Sequence, residues 1–197
     1  MVIDDRGQAH TLEGIAATLL ILSSVVFALQ VTAVTPLTAS TASQHVETQY
    51  ERATIGVLTI AAEKHRLSST LRYWNASGAR FHEASKVGYY VGRAPPTAFG
   101  DQLRAAFDGA AVAYNVDVTY LQTDGSLRNR RVAHFGDPSN TAVTVRRTVV
   151  LYDTQPVLDS SGEPTDATLD GTTFFAPDAF DGHLYNVVVV EVTIWRM

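Results

Sequence analysis

The residue types that catalyse reactions or bind metals occur in this chain, but their spacing matches no familiar catalytic or metal-binding motif. The six histidines form no HxxxH or HExxH pair, and without cysteine there is no thiolate ligand or thiol nucleophile. A G-x-S-x-G turn, a P-loop and a dinucleotide-binding fingerprint are also missing. The scattered aspartates and glutamates leave an acid–base pair open without indicating one. We therefore predict a non-enzymatic protein that has no catalytic residues and uses no metal or cofactor.

Charged residues are distributed unevenly along the 197 residues. The formal net charge is −5, with −3 in residues 1–50, +5 in residues 51–150 and −7 in residues 151–197. Nucleic-acid binding requires a basic surface, so this composition argues against a nucleic-acid partner. Arginines on the predicted strands could instead meet the acidic C-terminal segment, a neighbouring subunit or an external polyanion. They are Arg128, Arg130, Arg131, Arg146 and Arg147.

Glu13 stands directly before a long stretch that contains no Asp, Glu, Lys or Arg until Glu47. The apolar part, residues 14–34, would measure about 32 Å as a helix, which is enough to cross a bilayer. A buried core helix and a removable secretory signal are the alternatives. A secretory signal has a basic start, whereas this start is acidic apart from Arg6. The pattern favours a transmembrane helix over residues 14–36, ending at Pro36.

Arg6 is the only basic residue on the N-terminal side of the predicted span. The positive-inside rule therefore places the N-terminal residues 1–13 in the cytoplasm and the rest of the chain outside the cell. The sequence thus predicts a single-pass protein of the cell membrane, with the lipid bilayer as a partner. Asn75 begins the only N-x-[ST] sequon and would lie on the outer side, which makes it a candidate N-glycosylation site.

Residues 37–75 have the periodicity of an amphipathic helix. Apolar residues recur at alternating spacings of four and three positions, and only Lys64 interrupts them. The stem of Lys64 could lie along this face with the charge outside. The face packs either on the protein's own sheet or against another subunit. Its apolar members are Val46, Tyr50, Ala53, Val57, Ile60, Leu67, Leu71 and Trp74.

Residues 76–197 read as a β-rich head. Alternating apolar residues predict strands at about 112–120, 127–135, 141–152 and 186–195, and Asp124-Gly125 predicts a tight hairpin turn between the first two. The acidic segment 154–183 is too long for a simple hairpin, and we expect it to be the most mobile or most variable part. The predicted fold class is α+β, with a long N-terminal helix followed by a mostly antiparallel sheet of about four strands.

The N-terminal residues resemble the class III signal of archaeal type IV pilin-like proteins. The resemblance rests on Arg6-Gly7-Gln8, on Glu13 and on the unbroken apolar helix that follows. The whole chain resembles uncharacterised haloarchaeal membrane proteins that have an RGQ-H-T-LEG pattern at the start and a VEV-W-R-M pattern in the C-terminal strand; this chain has RGQAHTLEG and VEVTIWRM. The resemblance implies that a prepilin peptidase cuts after Gly7 and leaves Gln8 as the new N-terminus. It also implies that the apolar helix remains and forms the core of a filament, with other pilin-like subunits and the pilus assembly machinery as partners.

Glu13 is the candidate assembly residue. It lies about 500° around a helix from Gln8 and about 7.5 Å along the axis, so the two side chains point about 140° apart. Glu13 would therefore reach a neighbour's N-terminal amine more easily than its own; the alternative is that it stays at the headgroup level. The predicted function is a pilin-like subunit or minor pilin in surface adhesion or appendage assembly. A permanently anchored binding module that does not polymerise and a membrane-tethered enzyme remain as alternatives.

Overall fold

The computed structural model describes residues 5–109 and 111–197, with the side chains of residues 5–10 and 31–43 outside the described set. The chain divides into two compact units, Met1–Val46 and Glu47–Met197. The helices are α1 (Asp5–Glu63), α2 (Arg66–Arg72) and α3 (Ala98–Phe107). The strands are β1 (Trp74–Asn75), β2 (Arg80–Phe81), β3 (Tyr90–Val91), β4 (Val112–Leu121), β5 (Leu127–His134), β6 (Val143–Tyr152), β7 (Pro156–Leu158), β8 (Pro164–Thr168) and β9 (Leu184–Arg196).

The predicted helix over residues 37–75 is wrong in its bounds at both ends. Helix α1 does not end at Pro36 but continues to Glu63. At its C-terminus, His65 adopts a left-handed backbone conformation with φ of 55°, and α2 begins at the next residue. The interruption leaves Lys64 exposed, so its charge does not enter the core. Trp74, the last member of the predicted apolar face, lies in strand β1.

The buried face of α1 within the second unit is offset from the predicted face. Thr54, Leu58 and Ala61 are buried, whereas Ala53 and Ile60 are exposed. Apolar residues also stand at positions 58, 61 and 62, so the apolar surface is wider than one stripe, and spacing alone does not locate its centre. Leu58 and Ala61 belong to the main hydrophobic cluster, which also contains buried residues of the sheet, so this segment packs within the head as the first of the two predicted alternatives requires.

The four predicted strands form most of a five-stranded sheet in the order β3-β5-β4-β9-β6. All neighbouring pairs in the sheet are antiparallel except β3 with β5. The hairpin centred on residue 124 places Leu121 opposite Leu127, as its short turn requires. The α+β prediction is confirmed. The fifth strand, β3, has only two residues, which is too short to show an alternating pattern in the sequence.

One face of the sheet carries the core, and we call it the inner face. Its central valines on β4 and β9 are almost fully buried, and they belong to the same hydrophobic cluster as buried residues of α2 and α3. Helix α3 was not predicted, although Thr97 caps its N-terminus by accepting a hydrogen bond from the Gly100 backbone N–H. Phe99, Leu103 and Phe107 follow at helical spacing and are buried.

The segment 154–183 is not irregular throughout. It contains the small hairpin of β7 and β8, which pair antiparallel. Leu158, Leu169 and Phe175 from this segment are buried in the head. Two aromatic side chains hold its backbone: the Tyr73 hydroxyl donates to the Ser160 carbonyl, and the Trp74 indole donates to the Thr173 carbonyl. These buried contacts mean that much of the acidic segment is part of the folded head.

Candidate functional site

The N-terminal unit contains a helical segment with the length and composition to cross a membrane. It covers Thr11–Gln30, and none of its residues is buried within the chain. A core helix of a globular domain would bury most of such a segment, so the described packing does not support that alternative. The segment fits a membrane anchor or a signal sequence. Its hydroxyls suit an apolar environment, because Thr18, Ser23 and Ser24 each donate to a backbone carbonyl one turn earlier.

Glu13 lies in the first turn of this segment, in α1, and its side chain is exposed within the chain. A carboxylate near the end of a span costs less than one at the centre, where insertion scales give on the order of 2.5–3.5 kcal/mol. Gly7 and Gln8, the predicted cleavage pair, also fall in α1, but their side chains lie outside the described residues. The assembly and processing assignments therefore stay predictions.

A row of four charged side chains crosses the other face of the sheet, which we call the outer face. The strand registers place Arg131 opposite Asp117, Asp117 opposite Glu191, and Glu191 opposite Arg146. Arg131 Nε lies 3.6 Å from Asp117 Oδ1, and Arg146 Nε donates to Glu191 Oε2. The row thus has two acids on the central strands, each paired with an arginine on a flanking strand.

The central carboxylates of this row are the less exposed members. The side chain of Asp117 is 18% exposed, compared with 42% for its partner Arg131. Burial raises the pKa of the Asp117 carboxyl above its ordinary value, the nearby Glu191 charge adds to the rise, and Arg131 opposes it. Like charges opposite each other on neighbouring strands are unfavourable. The two arginines offset this repulsion and hold the row together.

The structure shows the partners of three of the five arginines, Arg130, Arg131 and Arg146. The carboxylates that pair with Arg131 and Arg146 lie on the sheet and not in the acidic segment 154–183, so the expected pairing with that segment is wrong for these two. Arg130 points into the head instead. Its guanidinium lies 4.5 Å from the centre of the Trp74 ring, and it donates to the Ala79 carbonyl at 3.0 Å. Burial lowers the pKa of this guanidinium.

The Asp117–Arg131 pair has a signal in the sequence that the strand prediction did not use. A hairpin centred on residue 124 places Asp117 opposite Arg131 by counting outward from the turn. The ladder then shifts between Val116 and Asp117, where β5 bulges. The pairing of β9 with both β4 and β6 follows from long-range packing, and local spacing does not predict it.

The histidines show no arrangement for catalysis or metal binding among the described residues. His82 Nε2 lies 3.1 Å from the Leu158 carbonyl, and its ring packs against Tyr73. His134 lies beside Asn115 in the ladder, and its Nδ1 is buried without a hydrogen-bond partner. No group of three or more His, Cys, Asp or Glu side chains comes together in the part of the chain that the structure describes.

Asn75, the candidate glycosylation residue, lies in β1 and is half-buried. Its side-chain oxygen accepts a hydrogen bond from the Gly78 backbone N–H at 2.9 Å, which closes the turn between β1 and β2. Ser77, the third residue of the sequon, is exposed in this turn. The sequon therefore lies at a turn of the head, where a glycan would have to be attached to a half-buried side-chain amide.

Comparison with known proteins identifies a family without assigning an activity. The model of a family of unknown function, DUF7288, matches residues 6–194, and the chain belongs to that family. No curated protein and no solved structure is similar enough to count as a match. The family match covers both the apolar helix and the sheet up to residue 194 in β9, so these two parts occur together as a family feature.

Proposed function

We propose that this member of the family is a non-enzymatic, type IV pilin-like subunit or minor pilin, anchored in the cell membrane and acting in surface appendage assembly or adhesion. One observation carries the proposal. The span-length apolar segment Thr11–Gln30 is exposed along its whole length and belongs to the same helix, α1, that ends inside an α+β head. A single N-terminal helix of this kind suits both insertion in a bilayer and packing against the same helix of other copies.

The proposed route begins with cleavage between Gly7 and Gln8 by a prepilin peptidase on the cytoplasmic side. The cut would leave a positive amine at Gln8 and keep the apolar helix in the mature chain. Glu13 would pair with the amine of a neighbouring subunit, since the helical offset of about 140° directs it away from its own. Pairing neutralises two charges in a low-dielectric setting, where a lone charge is costly. It would also set the stagger between neighbouring subunits.

Two substitutions test this route in cells that make the full chain. Glu13→Gln keeps the size and polarity of the side chain but removes its charge, so membrane insertion should survive while recovery in surface filaments falls. Gly7→Val should block the cut and leave uncut protein in the membrane, also excluded from filaments. Glu51→Gln is the matched control, because it removes an exposed charge from α1 within the head. If both test variants enter filaments as the parent does, the proposal fails.

The second candidate function is a permanently anchored extracytoplasmic binding module that does not polymerise. The outer face of the sheet supports it, because the described residues leave its charged row open to solvent with Arg146 and Arg131 exposed. Such a module needs neither cleavage at Gly7 nor the charge of Glu13. For such a module, the parent itself should be missing from filaments, and neither substitution should change its recovery from membranes.

A further inference from the structure

Strand β6 is the edge of the five-stranded sheet and is long enough to template another strand. It has ten residues and pairs on one side with β9, and no other strand of the described residues pairs with it. In an antiparallel ladder, every second residue of an edge strand directs its backbone N–H and C=O away from its partner. Natural sheets usually shorten or cover such edges, because they pair readily with other chains.

A groove of about 270 Å³ follows this edge. Three consecutive residues of β6, Thr148, Val149 and Val150, line one wall, so the groove runs along the strand edge and not along one face alone. The end of α1 and the start of α2 form the other wall, with Ala62 and Leu67. A groove between a sheet edge and a helix is the geometry in which an extended segment adds as a new strand.

Charge indicates which kind of segment fits. Arg146 and Arg147 lie on β6 and are exposed, and acidic side chains are missing from this strand. Seven acids and no Lys or Arg occur in residues 153–181 of the same chain. Five-residue β8 lies in that segment, is largely exposed and pairs only with β7 among the described strands. Asp166 is at its centre, with Glu163 directly before it.

We infer that β8 of a second copy of this chain adds to the free edge of β6, with Asp166 facing Arg147. The contact uses two different surfaces, so it is head-to-tail and continues from copy to copy as a closed ring or an open series, depending on the rotation between copies. Backbone hydrogen bonds between the two free edges would supply the pairing, and the opposite charges would select the partner. The inference rests on the proposed function in taking the chain to be self-assembling, and it adds a contact between heads to the contact between apolar helices.

The absence of cysteine makes this contact directly testable by disulfide trapping. Two full-length single-cysteine variants, Thr148→Cys with one affinity tag and Ala167→Cys with another, are reconstituted together in lipid vesicles and oxidised. The expected product is a covalent dimer that carries both tags. Ser126→Cys, at the exposed β4–β5 turn, replaces either partner as the control and should give no dimer. A dimer between two Thr148→Cys copies alone, or no dimer above the control, overturns the inference.

A charge swap separates specific contact from proximity in the vesicle. Arg147→Glu in the Thr148→Cys chain should abolish the mixed dimer, and Asp166→Arg in the Ala167→Cys chain should restore it. Arg128→Glu, an exposed arginine on β5, is the matched control and should leave the dimer unchanged. If Arg147→Glu abolishes the mixed dimer and Asp166→Arg does not restore it, the assigned pairing is overturned. Filament entry of a mature chain that begins at Gln8, without the mixed dimer, would refute this contact alone. The mixed dimer, together with a parent protein that retains Met1 in every fraction of its native host, would refute the pilin-like function alone.

Discussion

Asp117 on β4 and Glu191 on β9 lie directly opposite each other on neighbouring central strands of the sheet. Each is paired with an arginine on the strand that flanks it. Two neighbouring carboxylates would repel, but Arg131 and Arg146 complete the row on the flanking strands. Asp117 is the more buried of the two acids, with 18% of its side chain exposed against 26% for Glu191. The stability of the sheet should therefore depend on the protonation of Asp117.

Asp117→Asn should change how stability depends on pH. Burial raises the pKa of the Asp117 carboxyl above its ordinary value, with Glu191 adding to the rise, so the folded chain takes up a proton before the unfolded chain does as the pH falls. In the window between the ordinary value of 3.8 and the raised folded value, this carboxyl stabilises the fold increasingly as the pH falls. Denaturant unfolding of parent and variant at several pH values should show that the variant lacks this contribution.

Asp124→Asn is the control with the opposite sign. Hydrogen bonds from Ser126 lower the pKa of the Asp124 carboxyl, so its contribution is present at neutral pH and is lost as the pH falls through the folded value. The two variants should therefore differ from the parent in opposite directions. If both variants changed the pH dependence of stability in the same direction, the pKa of Asp117 would not be raised as described.

Leu67→Ala should destabilise the head by about 2–5 kcal/mol, because it leaves a cavity at a fully packed position. Leu67 is 1% exposed and belongs to the main hydrophobic cluster. Ile60→Ala is the matched control, since Ile60 is 45% exposed and should cost about 1 kcal/mol or less. Denaturant unfolding measures both. Equal losses would mean that α2 is not packed against the sheet as described.

Arg130→Ala should cost about 1–3 kcal/mol, because it removes the guanidinium from the Trp74 ring and leaves the Ala79 carbonyl without its donor. Arg128→Ala, two residues away and exposed, should stay within about 0.5 kcal/mol. Unfolding followed by tryptophan fluorescence measures both changes, since Trp74 is one of two tryptophans. Similar small effects would show that the stacked arginine contributes nothing to stability.

Deletion of residues 1–36 should yield a head that is soluble without detergent. The hydrophobic cluster consists of residues from position 57 onward, with Tyr50 packed against it, so the deletion removes none of it. Size-exclusion chromatography and circular dichroism without detergent measure the outcome. Full-length protein that is soluble and monomeric without detergent would contradict the proposed anchor.

The sequence predicts those parts of the fold that local patterns determine. All four long strands and the Asp124-Gly125 turn were found, because alternation and turn chemistry act over a few residues. The sequence does not predict the break at His65, because the left-handed residue there is a histidine and not a helix-breaking Gly or Pro. Helix α3 was missed although Thr97 and the helical spacing of Phe99 and Leu103 indicate it.

The candidate site is less predictable than the fold, for a physical reason. The role of Glu13 depends on a bilayer and on neighbouring chains, and neither acts through the contacts of one chain. The charged row depends on β9 lying between β4 and β6, which sequence spacing does not determine. Only the Asp117–Arg131 half of the row follows from a hairpin register that can be counted from the turn.

The intact mass of the protein recovered from membranes and surface filaments of its native host tests the central proposal most directly. A pilin-like subunit should lose residues 1–7, so the filament fraction should contain a chain that begins at Gln8. The Gly7→Val variant should retain Met1 and appear only in membranes. A parent protein that retains Met1 in every fraction would contradict the pilin-like function and favour the permanently anchored binding module.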